Sequence, residues 1–485
     1  MEIIVSAVLG ELTTRSINFF INKNSKPTLL DAEGCLRRVV LRATVIIDEA
    51  MGRQITNEAL LLQLDMLRDA MHRGCYMLDI FRYQSHDKDD AEDQSMSHSS
   101  LFKLNYIKGF YSSSRNAQIS KQLQKVHDDL ISMILNVEEL VMFLPRYPRL
   151  YRQPYSMHLL LDNCMFGRQM EAELAIKFLL HTQPLGSEEL EVLPIVGPGR
   201  VGKSTLVAHI CKDERVINHF SEILFLRYND VKDDELAAGL REGCAMKHQS
   251  HVSNSEKVVR LLVVVELAGD LNEDAWNRMY SASKYFMPRD SKVIITSRSD
   301  RIVKFGTTRA LTLKYLSHEA YWYFFKTLAF GSMDPEMHPK FTQLAMEVAG
   351  ILNNSLLGAN ITAHLLRDNF DIHFWSKVLD FVKVLTHSLD LIIQGRPAQL
   401  ERMDTSYKNL VVRHQYKCSS QEAVPKIGMV DVVYGRAKPR GKFEALVWRS
   451  RIPPFYSYIY SCEIREQNTK AAKRKRSLEN RVTIC

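Results

Sequence analysis

The sequence predicts an α/β domain with a parallel sheet, preceded by an α-helical bundle and followed by a helical segment and a small basic extension. Residues 1–145 and 316–395 carry helical periodicity, whereas helical stretches alternate with short β-branched runs between residues 162 and 315. Residues 396–485 hold 19 Lys and Arg against 8 Asp and Glu. We therefore expect a bundle over 1–145, a linker over 146–161, an α/β domain over 162–315, a helical segment over 316–395 and a basic extension over 396–485.

Composition excludes several classes of protein. With 485 residues, 46% of them hydrophobic and 25% charged, the chain is typical of a globular protein of about three domains. The longest apolar runs, such as Leu261–Val265, are far too short to span a membrane. The first residues lack a basic leader, and the eight cysteines include no C-x-x-C pair. We expect a cytoplasmic protein without a zinc site or a disulfide framework.

The first 145 residues contain apolar stripes at helical spacing. Counting a first helix at Ile3–Ile21, four amphipathic helices predict a bundle. The polar stretch Ser85–Ser100 indicates a flexible loop, and the proline-rich stretch Pro145–Ser156 indicates an interdomain linker. The stripes comprise Leu36, Val39, Val40, Ala43, Ile46 and Ile47, then Leu60, Leu64, Leu67, Met71 and Leu78, and then Leu123, Val126, Leu130, Met133, Ile134, Val137, Leu140 and Val141.

The α/β segment contains four candidate strands separated by helical stretches. This alternation favours a parallel sheet covered by helices on both faces. The candidate strands are Val192–Val196, Ile223–Leu226, Leu261–Val265 and Lys292–Thr296.

A glycine-rich loop follows the first of these strands. The stretch IVGPGRVGKSTLVAHI matches G-x-x-x-x-G-K-[ST] at Gly197, Gly202, Lys203 and Ser204, and a helical pattern follows. Glycines allow consecutive backbone N–H groups to point at phosphate oxygens beside the positive end of a helix. The sequence therefore predicts a P-loop nucleotide-binding domain.

Individual residues of this loop have distinct expected roles. Lys203 would neutralise the β and γ phosphates, Ser204 would offer its hydroxyl to Mg²⁺, and Thr205 would lie near the α phosphate. Gly199 and Val201 complete the predicted phosphate-binding loop.

Two further residues end neighbouring strands. Glu266 follows the apolar run Leu261–Val265 and is a candidate for the acid that holds Mg²⁺ through water; the alternative is a polar strand end. Arg298 ends SKVIITSR and is a candidate sensor of the γ phosphate; the alternative is a surface arginine. By spacing alone, Phe166, Gly167 and Arg168 are a turn into a helix.

Taken together, these stretches resemble plant immune receptors of the coiled-coil NB-ARC type, in particular a truncated grass disease-resistance-like protein without leucine-rich repeats. The motifs are GPGRVGKST, SKVIITSR, MFGRQME at Met165–Glu171 and LKYLSHEAYWYFFKTLAFG at Leu313–Gly331. The resemblance implies a P-loop NTPase of the STAND type followed by an ARC helical segment. It also implies that Phe166, Gly167 and Arg168 pack on adenine and that Arg298 is the sensor.

The same resemblance covers the N-terminal bundle. LRDAMHRGCYMLDIF, Leu67–Phe81, lies where the family has an acidic helix motif used for intramolecular docking, and Asp79 is the acidic residue retained from it. Cys75 and Tyr76 occupy positions that are usually acidic.

The chain departs from the family pattern at several motifs. Val265, Glu266 and Leu267 stand where the family has a paired-aspartate strand end, which implies at most slow ATP hydrolysis. Ser355–Gly358 stands where the family has Gly-Leu-Pro-Leu, and the chain contains no Met-His-Asp motif.

The resemblance implies a molecular switch of plant defence that binds ADP or ATP with Mg²⁺. It would signal through protein contacts of the N-terminal helices, with a full-length receptor or a second copy as partner. The alternatives are an adaptor or decoy with a structural nucleotide site, and a P-loop ATPase or kinase. The run Lys473, Arg474, Lys475 and Arg476 indicates nuclear import or nucleic-acid binding, or else a solvated tail.

Overall fold

The structure is a computed structural model of the chain. The residues that it describes are 29–89, 114–149, 166–182, 189–228, 260–267, 272–352, 354–393, 410–418, 424–433, 436–450 and 456–464. The chain divides into two compact units, 1–343 and 344–485. The run Lys473–Arg476 and the predicted helix Ile3–Ile21 lie outside the described residues.

Helices fill the described part of the N-terminal region, as the periodicity predicts. Leu36, Leu64, Leu67, Leu123 and Leu130 are fully or almost fully buried where three long helices meet. Apolar residues at helical spacing therefore form one core, which stabilises each helix more than its own propensity does. The helices are α1 (Leu29–Met51), α2 (Glu58–Asp89), α3 (Ser114–Asn136) and the short α4 (Glu138–Phe143).

Two loop predictions in this region are partly wrong. Helix α2 continues to Asp89, so the polar stretch begins as helix, since acidic and polar residues do not break a helix that is already anchored. Leu144–Arg146 forms a 3₁₀ turn with Pro145 in its first turn, where a missing N–H costs little. The Pro148 carbonyl then accepts from the Gln54 amide at 2.9 Å, so the start of the expected linker is bound to the bundle.

A five-stranded parallel sheet forms the centre of the α/β region, as predicted. Its strand order is β2-β3-β4-β1-β5, and the described connections from β1 to β2 and from β3 to β4 contain helices. The strands are β1 (Glu191–Val196), β2 (Glu222–Tyr228), β3 (Leu261–Leu267), β4 (Lys292–Ser297) and β5 (Leu311–Thr312), and the helices are α5 (Gln169–Leu180), α6 (Lys203–Ile210), α7 (Glu214–His219), α8 (Glu273–Phe286) and α9 (His318–Phe330).

Both faces of this sheet are buried, which explains why its strands are continuous apolar runs. Successive residues of β3 and β4 alternate between two cores. One face packs against Trp276 and Met279 of α8, and the other packs against helices α5 and α6. The sheet is therefore a rigid platform, and the loops that follow its strands are anchored at their starting points.

The second unit contains helices and a small antiparallel sheet. The sheet has the order β6-β8-β7, and Cys462 and Ala445 are fully buried in its core. Tyr456 and Tyr460 are buried, and Trp448 stacks on Tyr458 at 5.8 Å, so these aromatics contribute to packing. The elements are α10 (Pro339–Leu352), at whose start the division of the chain falls, α11 (Leu356–Asp368), α12 (Ile372–Ile393), β6 (Leu410–Cys418), α13 (Met429–Val433), β7 (Gly441–Arg449) and β8 (Ser457–Ile464). Among the helices described, none is long and apolar enough to cross a membrane.

Candidate nucleotide-binding site

The phosphate loop has the backbone that its glycines predict. Gly197 has a φ of 154° and Gly202 a φ of 98°, in the region that favours glycine. A Cβ at Gly197 would lie 2.5 Å from the Leu313 carbonyl oxygen, so this position has no room for a side chain. Val201 is 1% exposed and anchors the loop in the core below it. Helix α6 then begins at Lys203, so its N-terminal N–H groups border the loop.

Lys203 points back into the curve of the loop. Its ammonium donates to the carbonyls of Gly197 at 2.6 Å and Pro198 at 2.9 Å. Burial lowers the pKa of Lys203, the neighbouring Arg298 lowers it further, and Glu266 opposes both. Ser204 and Thr205 follow in the first turn of α6 and are half-buried.

The sheet register explains why the three charged residues converge. Thr296 of β4 is the register partner of Ile195 in β1 and of Glu266 in β3. The carboxyl ends of β3, β4 and β1 therefore meet at one edge, where ligands of open α/β sheets bind. The structure thus places Lys203, Glu266 and Arg298 at the same edge of the sheet.

Arg298 lies over the middle of the phosphate loop. A Cβ at Gly199 would be 3.3 Å from the Arg298 Nε and 3.4 Å from its Cζ. The lack of a side chain at Gly199 therefore lets the guanidinium approach the loop backbone closely. Arg298 is exposed, and its guanidinium lies beside the backbone of the phosphate loop.

The predicted base loop, Phe166–Arg168, lies between α5 and the chain that leads into α9. Gly167 has a φ of 66°, and a Cβ there would lie 3.2 Å from Leu316 Cδ2. Arg168 is 5% exposed; it donates to the Glu171 carboxylate at 2.9 Å and also to the Lys314 carbonyl oxygen. Arg168 therefore fixes the shape of the loop through contacts within the protein.

Aromatic side chains surround Phe166 on the bundle side. Its ring lies 5.2 Å from that of Phe324, 6.1 Å from that of Tyr323 and 5.5 Å from that of His72. His72 belongs to helix α2 of the bundle and is 2% exposed. No spacing rule predicts this contact, because His72 and Phe166 are far apart along the chain.

Asp79 of α2 makes a polar contact between the bundle and helix α9. It is 7% exposed and accepts from Trp322 Nε1 at 2.8 Å and from the Lys326 ammonium at 2.5 Å. Burial lowers the pKa of Lys326, but Asp79 outweighs that effect and the net pKa is raised. Asp79, the acidic residue retained from the motif, thus forms a buried ion pair within the chain.

Further polar contacts lie along the same interface. His318 and Tyr76 are hydrogen-bonded at 3.0 Å. Arg82 pairs with Glu336, and also with Glu33 of α1 at 3.3 Å. Bundle and nucleotide domain are therefore joined by a continuous contact that runs from the base loop along α9.

The parallel sheet with this phosphate loop between β1 and α6 defines a P-loop nucleotide-binding domain. The family model for the NB-ARC domain matches residues 175–334. The chain is 23% identical over 347 residues to the disease resistance protein RGA2 of Solanum bulbocastanum, covering 69% of this chain and 34% of that protein. It is 21% identical over 383 residues to the disease resistance RPP13-like protein 1 of Arabidopsis thaliana, covering 75% and 35%.

The chain therefore carries an NB-ARC domain and is related to plant disease-resistance proteins. It spans about a third of the length of these two relatives. Among solved structures, C. elegans PCH-2 matches with a TM-score of 0.32 at 11% identity, over 44% of this chain and 69% of that one. Drosophila ORC bound to DNA matches with a TM-score of 0.30 at 10% identity, over 68% and 95%.

Proposed function

We propose that the chain is a nucleotide-binding switch of plant defence that takes ADP or ATP together with Mg²⁺. The convergence of Lys203, Arg298 and Glu266 on one phosphate loop is the observation that carries this proposal. A loop with two basic side chains and exposed backbone N–H groups suits a polyphosphate. The relatives named as disease-resistance proteins support the defence role.

The base end of the site supports adenine as the nucleobase. Phe166 supplies an aromatic face and Gly167 lets the backbone approach closely. Arg168 holds that backbone through Glu171 and Lys314. In this proposal the nucleotide lies between the base loop and the phosphate loop, so both ends contribute to affinity.

The residues present also fit a magnesium ion. Mg²⁺ prefers oxygen ligands, keeps several waters and shares phosphate oxygens with its nucleotide. Ser204 would supply its hydroxyl, and Glu266 would hold a coordinating water. The described residues contain no group of three or more His, Cys, Asp or Glu that could hold a metal. Glu266 is the acid that this proposal assigns to the metal, and because it is followed by Leu267 rather than standing in a pair of aspartates, we expect hydrolysis to be slow.

Switching would depend on the contact between the bundle and the nucleotide domain. A ligand shifts a conformational equilibrium only by its difference in affinity between the two states. The buried contacts of Asp79 and His72 define a docked state, and loss of docking would expose α2 to protein partners. A full-length receptor and a second copy of the chain are the partners that we propose for the freed bundle.

An adaptor with a structural nucleotide site is the second candidate function. Lys203 donates to two carbonyls of its own loop, and one glutamate stands where a pair of aspartates would favour hydrolysis. A protein of this kind would hold one nucleotide throughout its life and act by its helical surfaces alone.

The nucleotide released by denaturing the purified chain distinguishes these functions. We expect near-stoichiometric ADP from the natural sequence and little from Lys203→Arg. ATP retained for hours and unchanged by added Mg²⁺ would favour the adaptor. No nucleotide from either folded protein would refute the proposed function.

A further inference from the structure

The segment Leu313–Leu316, which we call the connecting segment, contacts both loops of the proposed site. It joins strand β5 to helix α9. The Leu313 amide donates to the Val196 carbonyl at 2.8 Å, and the Leu313 carbonyl lies against Gly197. The Lys314 carbonyl accepts from Arg168 of the base loop.

The next two residues repeat this alternation. The Tyr315 hydroxyl donates to the Gly199 carbonyl oxygen at 3.3 Å, and Leu316 Cδ2 lies against Gly167. Leu313 and Tyr315 therefore contact the phosphate loop, whereas Lys314 and Leu316 contact the base loop. Contacts that alternate in this way hold two loops at a set separation.

Tyr315 contacts the phosphate loop through its side chain, and the packing of the core does not require a side chain of this kind at that position. It is 49% exposed, so no core position forces an aromatic residue there. Its hydrogen bond reaches Gly199, the same residue over which Arg298 lies. Tyr315 and Arg298 thus contact the same turn of the phosphate loop.

We propose that Tyr315 is a positioning residue for a nucleoside diphosphate, acting through the Gly199 carbonyl to keep the phosphate loop at the correct distance from the base loop. This inference rests on the proposed function, because it requires the nucleotide to bridge the two loops. Preorganising a loop in its bound conformation raises affinity by lowering the cost of ordering it. The effect should therefore be largest for ligands that engage both loops.

Competition against a fluorescent ADP analogue on the full chain tests this proposal. The competitors are ADP, which engages both loops, and adenosine, which engages only the base loop. For Tyr315→Phe we expect about fivefold weaker ADP binding, as for loss of one neutral hydrogen bond, and unchanged adenosine binding. Tyr315→Ala should weaken ADP at least as much, and Tyr285→Phe on the exposed face of α8 is the matched control.

Two results would overturn the inference, and a third would refute the proposed function on which it rests. Unchanged ADP affinity in Tyr315→Phe would show that the hydrogen bond does not position the loop. An equal loss for ADP and adenosine would show that Tyr315 supports the fold only, a conclusion that thermal unfolding of the same variants would check. Failure of the natural sequence to bind the ADP analogue would instead refute the proposed function itself.

Discussion

The two ends of the candidate site are built in different ways. The phosphate loop itself is formed by residues close together in the chain, because Gly197, Gly202 and Lys203 belong to one strand–loop–helix unit. The base end is assembled from distant segments, since Phe166 contacts His72 of the bundle and Tyr323 of α9. A local motif thus provides phosphate chemistry, whereas tertiary packing connects the nucleotide to the rest of the molecule.

This difference has a functional consequence. We therefore expect substitutions in the phosphate loop to leave the contact between bundle and nucleotide domain intact, and substitutions at the base end to disturb it. His72 and Asp79 lie on the same helix, and both contact α9. Any movement of α2 relative to α9 should therefore shift the residues that surround Phe166. By linkage, nucleotide binding should change the free energy of bundle docking by the same amount as docking changes the free energy of nucleotide binding.

Removal of the buried carboxylate at Asp79 should have the largest effect on the base end. Asp79→Ala leaves the Lys326 ammonium buried without its partner, which we expect to cost about 3–5 kcal/mol of stability. Urea unfolding of the full chain measures this loss, and hydrogen exchange should rise in α2 and α9.

The exposed Asp129 of α3 offers a matched control, since Asp129→Ala should change stability little. A double variant, Asp79→Leu with Lys326→Met, should recover part of the loss. A loss below 1 kcal/mol for Asp79→Ala would contradict the buried ion pair.

Acidification should weaken the base end through His72. Burial lowers the pKa of His72 to about 3, and the nearby Arg68, Lys326 and Arg73 act in the same direction. The unfolded chain protonates this histidine below its ordinary pKa of 6.5 while the folded chain does not, so stability falls as the pH drops from 6.5 toward 3.

At pH 5 this linkage costs about 2 kcal/mol. Urea unfolding at pH 7 and pH 5 checks the effect: the natural sequence should lose about that much more stability than His72→Phe. Equal pH dependence in the two proteins would show that His72 is not held neutral.

Arg298→Ala, at the phosphate end, should weaken the binding of ATP more than the binding of ADP. Loss of a charge-assisted contact to the γ phosphate should weaken ATP about tenfold and change ADP little. Titration calorimetry with both nucleotides measures the ratio, and Arg289→Ala, before strand β4, is the control. An equal loss for ADP and ATP would contradict the sensor role.

Glu266→Gln should have the smallest effect. In the natural sequence, Mg²⁺ should raise the affinity for ATP. Because the carboxylate would act on the ion through a water, we expect this increase to be about threefold smaller in the variant. Affinity measured in EDTA should not change. A loss of the same size with and without Mg²⁺ would place Glu266 outside the metal site.

The sequence predicted those features that depend on short-range patterns. Apolar alternation located the strands, and the glycine spacing located the phosphate loop, because both follow from backbone requirements of neighbouring residues. Arg298 and Glu266 can be proposed as site residues from the sequence because parallel strands end at a common edge.

The sequence could not predict contacts between distant segments. Trp322 Nε1 bonds to Asp79 across 243 positions of the chain, and no spacing rule connects them. In the sequence alone, nothing distinguishes His72 from the other residues of its helix, or Tyr315 from the other aromatic residues near the start of α9. The end of α2 was missed because packing of the bundle overrides the polar composition at Ser85–Asp89.

Photolabelling with 8-azido-ADP tests the central claim that one nucleotide bridges the base loop and the phosphate loop. The azide reports the position of adenine, and substitution of Lys203 reports whether labelling depends on the phosphate end. We expect a single labelled peptide containing Phe166–Arg168 in the natural sequence, and its loss in Lys203→Ala. Label that falls elsewhere, or that persists at Phe166–Arg168 without Lys203, would contradict the account.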